Sequence, residues 1–180
     1  MITLINTKNS KIYNKKIKSL YESSFPKEEQ VPFFLLSYNA RKNISDIFAI
    51  VEENKFIGML CCVYYKDIVF LWYLAIEREN RGKGYGTKVI EETKKIFSKN
   101  RLVLNVEEVN IKYKNYEERE KRKQFYIKNG FQYSGFMTKE YGVVYEMLCY
   151  RGEISYQEYK EMMITYSGEK VFHKIYKLVE

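Results

Sequence analysis

Three apolar runs follow one another at residues 46–52, 56–65 and 68–76, broken only by Glu53-Asn54-Lys55 and Lys66-Asp67. Breaks this short give the chain no room to cross over a sheet. Consecutive runs must therefore fold back on each other as an antiparallel meander. The stretch 56–76 also has to be weighed as a membrane span, because Lys66 and Asp67 are its only charges. Each charge at mid-span costs about 2.5–3.5 kcal/mol, whereas two adjacent polar residues between strands make a turn. A hairpin is expected, and no membrane partner.

Directly behind the third run, Gly82, Gly84 and Gly86 stand at alternate positions. Val89, Ile90, Thr93, Ile96 and Phe97 then recur at helical spacing, and 102–106 is again apolar enough for a strand. Strand, loop, helix and strand of this length form a parallel crossover, so the sheet should change from antiparallel to parallel beside the glycine loop.

Upstream, Ile2 and Leu4 suit a short strand, and Ile17, Leu20 and Tyr21 a helix that Pro26 stops. A second helix should begin at Pro32, with Phe33, Leu36 and Ala40 on one face. Downstream, a helix over 116–128 should end at Asn129-Gly130, with Phe131 packing back on it. Strands are expected at 132–137 and 143–150. Beyond Gly152, the residues Tyr156, Tyr159, Met163, Val171, Ile175 and Leu178 read as helical. The chain of 180 residues is long enough for one domain with a sizeable core, here 1–150, with 151–180 as a helical extension packed on it.

A net charge of +8 suits an anionic ligand, a nucleic acid or a membrane surface without choosing among them. Cys61, Cys62 and Cys149 are odd in number and lack C-x-x-C spacing, so they read as buried thiols. With no charged-then-apolar leader, a cytoplasmic location is expected. His173 has no metal-ligand company, and no metal is expected.

A glycine loop that opens a helix presents unpaired N–H groups at the positive end of the helix dipole, a site for phosphate. The P-loop pattern fails, because Thr87-Lys88 follows Gly86 where Lys-Ser or Lys-Thr is needed. The dinucleotide fingerprint fails too, because counting from Gly82 and Gly84 its third glycine falls on Thr87. Arg81-Gly82-Lys83-Gly84-Tyr85-Gly86 fits [QR]-x-x-G-x-[GA], and Phe125-Tyr126-Ile-Lys-Asn-Gly130-Phe131 fits [FL]-Y-x-x-x-G-F. Both motifs, and the order of elements around them, resemble the GNAT superfamily of N-acetyltransferases over residues 2–150, most strongly over 70–131.

That resemblance implies an α+β fold, a mostly antiparallel sheet with one parallel, splayed strand pair, flanked by helices. It implies acetyl-CoA as co-substrate and a primary amine as acceptor, with direct attack and no covalent enzyme intermediate. Backbone groups of Leu74, Ala75 and Ile76 would hold the pantetheine arm, with the Leu74 N–H polarising the thioester carbonyl. Residues Arg81 to Thr87 would cradle the pyrophosphate, with Phe125 and Arg122 adding contacts. Tyr126 aligns with the usual acid. Where some relatives carry a basic glutamate this chain has Phe70, leaving Glu107, Glu108 or water as the base. Arg119 and Arg122 also depart from the pattern, where relatives often have an asparagine and a small residue. Their guanidinium forks suit CoA phosphates or an acidic substrate, with surface salt bridges to Glu118 or its neighbours as the alternative for both, above all for Arg119.

Two rival classes stay open: a catalytically degenerate CoA-binding protein, and a basic module binding RNA or tRNA. The acceptor is a small molecule or a peptide, a tRNA-borne amine also being compatible. A homodimer is equally open.

Overall fold

The computed structural model describes residues 1–179. The chain divides into two compact units, the first spanning Met1–Lys99 and the second beginning at Asn100.

In the first unit the elements run β1 (Ile2–Asn6), α1 (Asn14–Ser24), α2 (Phe33–Arg41), β2 (Ser45–Glu52), β3 (Lys55–Tyr65), β4 (Ile68–Ile76) and α3 (Tyr85–Ile96). The strands lie in the order β1-β2-β3-β4, every neighbour antiparallel, so the three apolar runs do form a meander. Both tight turns use left-handed residues, Glu53 and Asn54 in one and Lys66 in the other. Apolar residues cover both faces of β3, which is buried from Phe56 to Val63, and this explains its unbroken hydrophobic run. Helix α1 seats Ile17 and Tyr21 in the core, and α2 seats Leu36 and Ala40. Cys61, Cys62 and Cys149 are buried and none is in a disulfide, and burial pushes the Cys61 thiol up to about 12.

The second unit holds β5 (Arg101–Glu107), α4 (Tyr116–Lys128), β6 (Gln132–Glu140), β7 (Val143–Tyr150), α5 (Tyr156–Ser167), α6 (Glu169–Ile175) and β8 (Tyr176–Val179). Its strand order is β5-β7-β6-β8, again with antiparallel neighbours throughout. The molecule is thus the expected α+β chain with a mostly antiparallel sheet.

Two expectations need correction here. Strand β6 continues to Glu140 instead of stopping at Met137, and the chain end is not helical throughout. Tyr176 leaves the helical region and Leu178, expected on a helix, pairs with Thr138 in β8. The outer edge of β6 offers unpaired backbone groups, and the β-prone Tyr176, Leu178 and Val179 satisfy them. Glu180, the last residue of the expected extension, lies outside the described residues. No helix among the described residues is long and apolar enough to cross a membrane.

Helix α5 is fixed at both ends of its first turn. Ser155 and Glu158 form a capping box, and Glu158 also accepts from Arg101 on β5 at 2.7 Å. Further along, Tyr159 donates to the buried carboxylate of Glu140 at 2.5 Å, which also accepts from Thr138 at 2.9 Å and from Asn105 at 3.2 Å. The hydrogen bond from Arg101, with the Ser155 N–H, holds the Glu158 carboxyl at about 2, below its ordinary 4.5. A depressed carboxylate contributes stability that is full above its unfolded value and is lost as pH falls through its folded value. We therefore expect the wild-type urea midpoint to fall more steeply between pH 4.5 and about 2 than that of Glu158→Gln; parallel curves would contradict the Arg101 anchor.

Candidate functional site

The end of β4 is shaped by a β-bulge. Tyr73 lies opposite Cys61 but Leu71 lies opposite Cys62, so Trp72 is the inserted residue. Before it, Ile68 to Leu71 are all buried. After it, half-buried Leu74 and Ile76 alternate with buried Tyr73 and Ala75. The inward face is secured by Tyr73, whose hydroxyl donates to the Glu29 carbonyl at 2.8 Å and whose ring meets Tyr21 and Phe25 edge-on. Leu74 and Ile76 are left on a partly open face.

Past β4, a short turn at Arg78–Asn80 leads into the glycines. The Arg81 side chain donates from Nε to the Ile76 carbonyl at 3.0 Å and so ties the loop to the strand it leaves. Gly82 and Gly84 both have positive φ, 73° and 78°. A side chain there would be strained, since left-handed backbone costs an ordinary residue roughly 1–2 kcal/mol. Gly84 is the N-cap of α3, and its carbonyl takes the first bond of the helix ladder, from Lys88 N–H at 3.2 Å. Among the described residues, none accepts from the N–H groups of Gly82, Lys83, Gly84, Tyr85, Gly86 or Thr87. Such a run of free donors at a helix N-terminus attracts an anion. Beside it, Asn80 is buried and its side-chain nitrogen has no acceptor.

Tyr85 opens α3 with its side chain committed elsewhere. Its hydroxyl donates to Glu52 at 2.7 Å, and Lys88 lies 3.6 Å from the same carboxylate and 5.0 Å over the Tyr85 ring. The Tyr85 hydrogen bond, more than the Lys88 charge, draws the Glu52 carboxyl below its usual range. Sequence reasoning missed Glu52, Asn80 and the bulge at Trp72. A lone glutamate ending a strand and an aromatic within one carry no distinguishing signal.

In the second unit, α4 ends in a Schellman motif: Phe131 N–H donates to Tyr126 O at 3.1 Å and Gly130 N–H to Ile127 O at 2.8 Å. Phe131 also packs edge-on against the Tyr126 ring at 5.8 Å, and Phe125 does so at 4.9 Å. Burial pushes the Tyr126 phenol up to about 12, with the Arg122 charge pulling it back, so at neutral pH it is a protonated donor.

Glu107 and Arg119 depart from a solvated surface. Glu107 is nearly buried between Arg122, 2.5 Å away, and Arg119, 3.4 Å away. Arg119 is buried at 7% exposure and does not pair with Glu118. It donates to Asn115 at 2.9 Å and to the Glu108 carbonyl at 3.0 Å, and stacks on Tyr113 at 3.8 Å. The Glu108 carboxylate accepts from the Tyr113 hydroxyl at 2.9 Å, which lowers it from the usual range. Phe70 is fully buried. Among the described residues no group of three or more His, Cys, Asp or Glu could hold a metal ion.

Comparison with known proteins bears on the family and the fold. The profile of the acetyltransferase (GNAT) domain matches residues 43–133. A solved GNAT-family chain from Bacteroides thetaiotaomicron superposes with a TM-score of 0.76 at 19% identity, over 94% of this chain and 99% of that one. An aminoglycoside 6'-N-acetyltransferase in complex with coenzyme A superposes with a TM-score of 0.66 at 16% identity, over 83% and 95%. A chimeric spermidine N-acetyltransferase from Vibrio cholerae and hSSAT gives 0.61 at 17%, over 83% and 94%. No curated protein sequence matches the chain.

The positive φ of Gly84 has a measurable cost when a side chain is added. An added Cβ meets nothing within 4 Å, so the penalty is one of backbone strain alone. Gly84→Ala should lower the unfolding free energy in urea by about 1–2 kcal/mol; unchanged stability would mean that the loop relaxes freely.

Proposed function

The chain belongs to the GNAT family of acetyltransferases and is an acyltransferase, and we propose that it moves an acetyl group from acetyl-CoA to a primary amine. The observation that carries this reading is the run of free amides from Gly82 to Thr87. A diphosphate would satisfy them, and the donors that would hold it are backbone groups indifferent to sequence apart from the glycines.

The thioester supplies an activated acyl group and a leaving thiolate. The N–H of Leu74 polarises the acyl carbonyl, with backbone groups of Ala75 and Ile76 holding the pantetheine arm beside the half-open face of β4. Because the Arg81 side chain is engaged with the Ile76 carbonyl, Arg81 serves the site by closing the loop. The amine nitrogen bonds to the acyl carbon as the C–S bond breaks. Tyr126, protonated at neutral pH, gives its proton to the departing sulfur. The excess amine proton leaves through water, since Glu107 is clamped by two arginines and the Glu108 carboxylate is depressed by Tyr113.

A net charge of +8 slows the approach of polycations and favours an acceptor whose remainder is neutral or anionic. The committed state of both glutamates favours, as a second reading, a CoA-binding protein without turnover. Thiol release measured with polyamines, amino sugars, aminoacyl compounds and peptides separates the two. Turnover with one acceptor class supports the transferase, and tight CoA binding without release supports the binder.

Tyr126→Phe should lower kcat by about 10²-fold or more with little change in the KM for acetyl-CoA; wild-type turnover would remove Tyr126 as the acid. Gly84→Val should abolish binding of acetyl-CoA in calorimetry while circular dichroism stays native, and retained binding would contradict the amide cradle.

A further inference from the structure

Glu107 and the buried Arg119 form, with the more exposed Arg122, an ionic cluster that none of the proposed steps requires as a base. Arg119, Arg122 and Tyr126 lie on one side of α4, three and four residues apart, so their side chains follow one another along the helix. Among the described residues, Glu107, the last residue of β5, is the one carboxylate that both arginines reach, at 2.5 Å for Arg122 and 3.4 Å for Arg119.

Arg119 cannot move independently. Besides Glu107 it holds the side chain of Asn115, the carbonyl of Glu108 and the ring of Tyr113, which closes the segment from 108 to 115 around it. Three donors and a ring face engaged at once make the guanidinium a rigid fork between β5 and the first turn of α4. Arg122 is the more exposed of the two, at 53%, and its long side chain is anchored by the ion pair to Glu107.

We propose that Glu107 is a positioning residue, whose carboxylate locks Arg119 and Arg122 to the end of β5 and thereby sets the placement of Tyr126 on α4. This rests on the reading of Tyr126 as the proton donor. A carboxylate shared by two guanidinium groups in this way has both oxygens engaged and neither left over for an incoming amine. It is well suited, however, to fixing a helix against a strand where hydrogen-bond reach must be kept to a fraction of an ångström. Arg122 also stands one helical turn before the phenol, where its charge opposes the effect of burial on Tyr126.

A double-variant cycle tests this, with Glu107→Gln, Arg122→Met and both together, on the whole chain. Each single variant should lower kcat about tenfold and leave the KM for acetyl-CoA within about twofold, with the double variant no slower than either single one, as for groups that act as a unit. The acid limb of the kcat/KM profile should stay in place in Glu107→Gln. Loss of that limb with a hundredfold or larger drop in kcat would make Glu107 the base and overturn the proposal, and so would multiplicative losses in the double variant. An arm independent of turnover follows the ring signals of Tyr126 by NMR in protein carrying 13C-labelled tyrosine, assigned with Tyr126→Phe. Those signals should move in both single variants and no further in the double one; signals that stay put overturn the proposal. A wild type that releases no thiol with any amine sinks the transferase reading instead, and the NMR arm then decides the coupling alone.

Discussion

The free N–H groups at the start of α3 are the constraint on which the rest of the first unit depends. A helix always leaves its first amides without partners, and most proteins cap them with a side chain. Here the N-cap is Gly84, which has no side chain to offer, and Gly82 holds the preceding turn in the same left-handed region. The surroundings preserve this vacancy. Arg81 is drawn back to the Ile76 carbonyl and the Tyr85 hydroxyl is drawn to Glu52, so the two polar side chains best placed to cap the loop are both engaged elsewhere.

The meander serves that loop. Its last strand must end with backbone groups on an accessible face, and the bulge at Trp72 makes the change from a strand buried on both sides to one buried on alternate residues. Tyr73 then fixes the orientation from beneath through Glu29, Tyr21 and Phe25. In the second unit the same economy of placement recurs with charge instead of aromatic contact: β5 is joined to α4 through Glu107 and to α5 through Arg101.

Much of this was legible in the chain because local signals and packing agree. The limits of β4 and β7 follow from apolar runs bounded by turn residues, and Asn129-Gly130-Phe131 announces the Schellman end of α4. Illegible features depend on distant partners. Strand β8 is four residues long, and Leu178 continues the helical spacing of Val171 and Ile175 until the free edge of β6 overrides it. Arg119 sits among charged neighbours and looks like a solvated side chain. Its burial is decided by Glu107, Glu108 and Tyr113, which no helical periodicity reveals. The glycine turn that opens α3 was readable from spacing, whereas the engagement of Arg81 with its own strand was not.

The amide cradle can be observed directly in a 15N–1H spectrum of the protein titrated with coenzyme A, since glycine amides resonate apart from most others and the chain has only nine. The account predicts that the signals of Gly82, Gly84 and Gly86 move together with rising ligand while those of Gly135, Gly142 and Gly152 stay in place. Loop signals that remain fixed at saturating coenzyme A would contradict it.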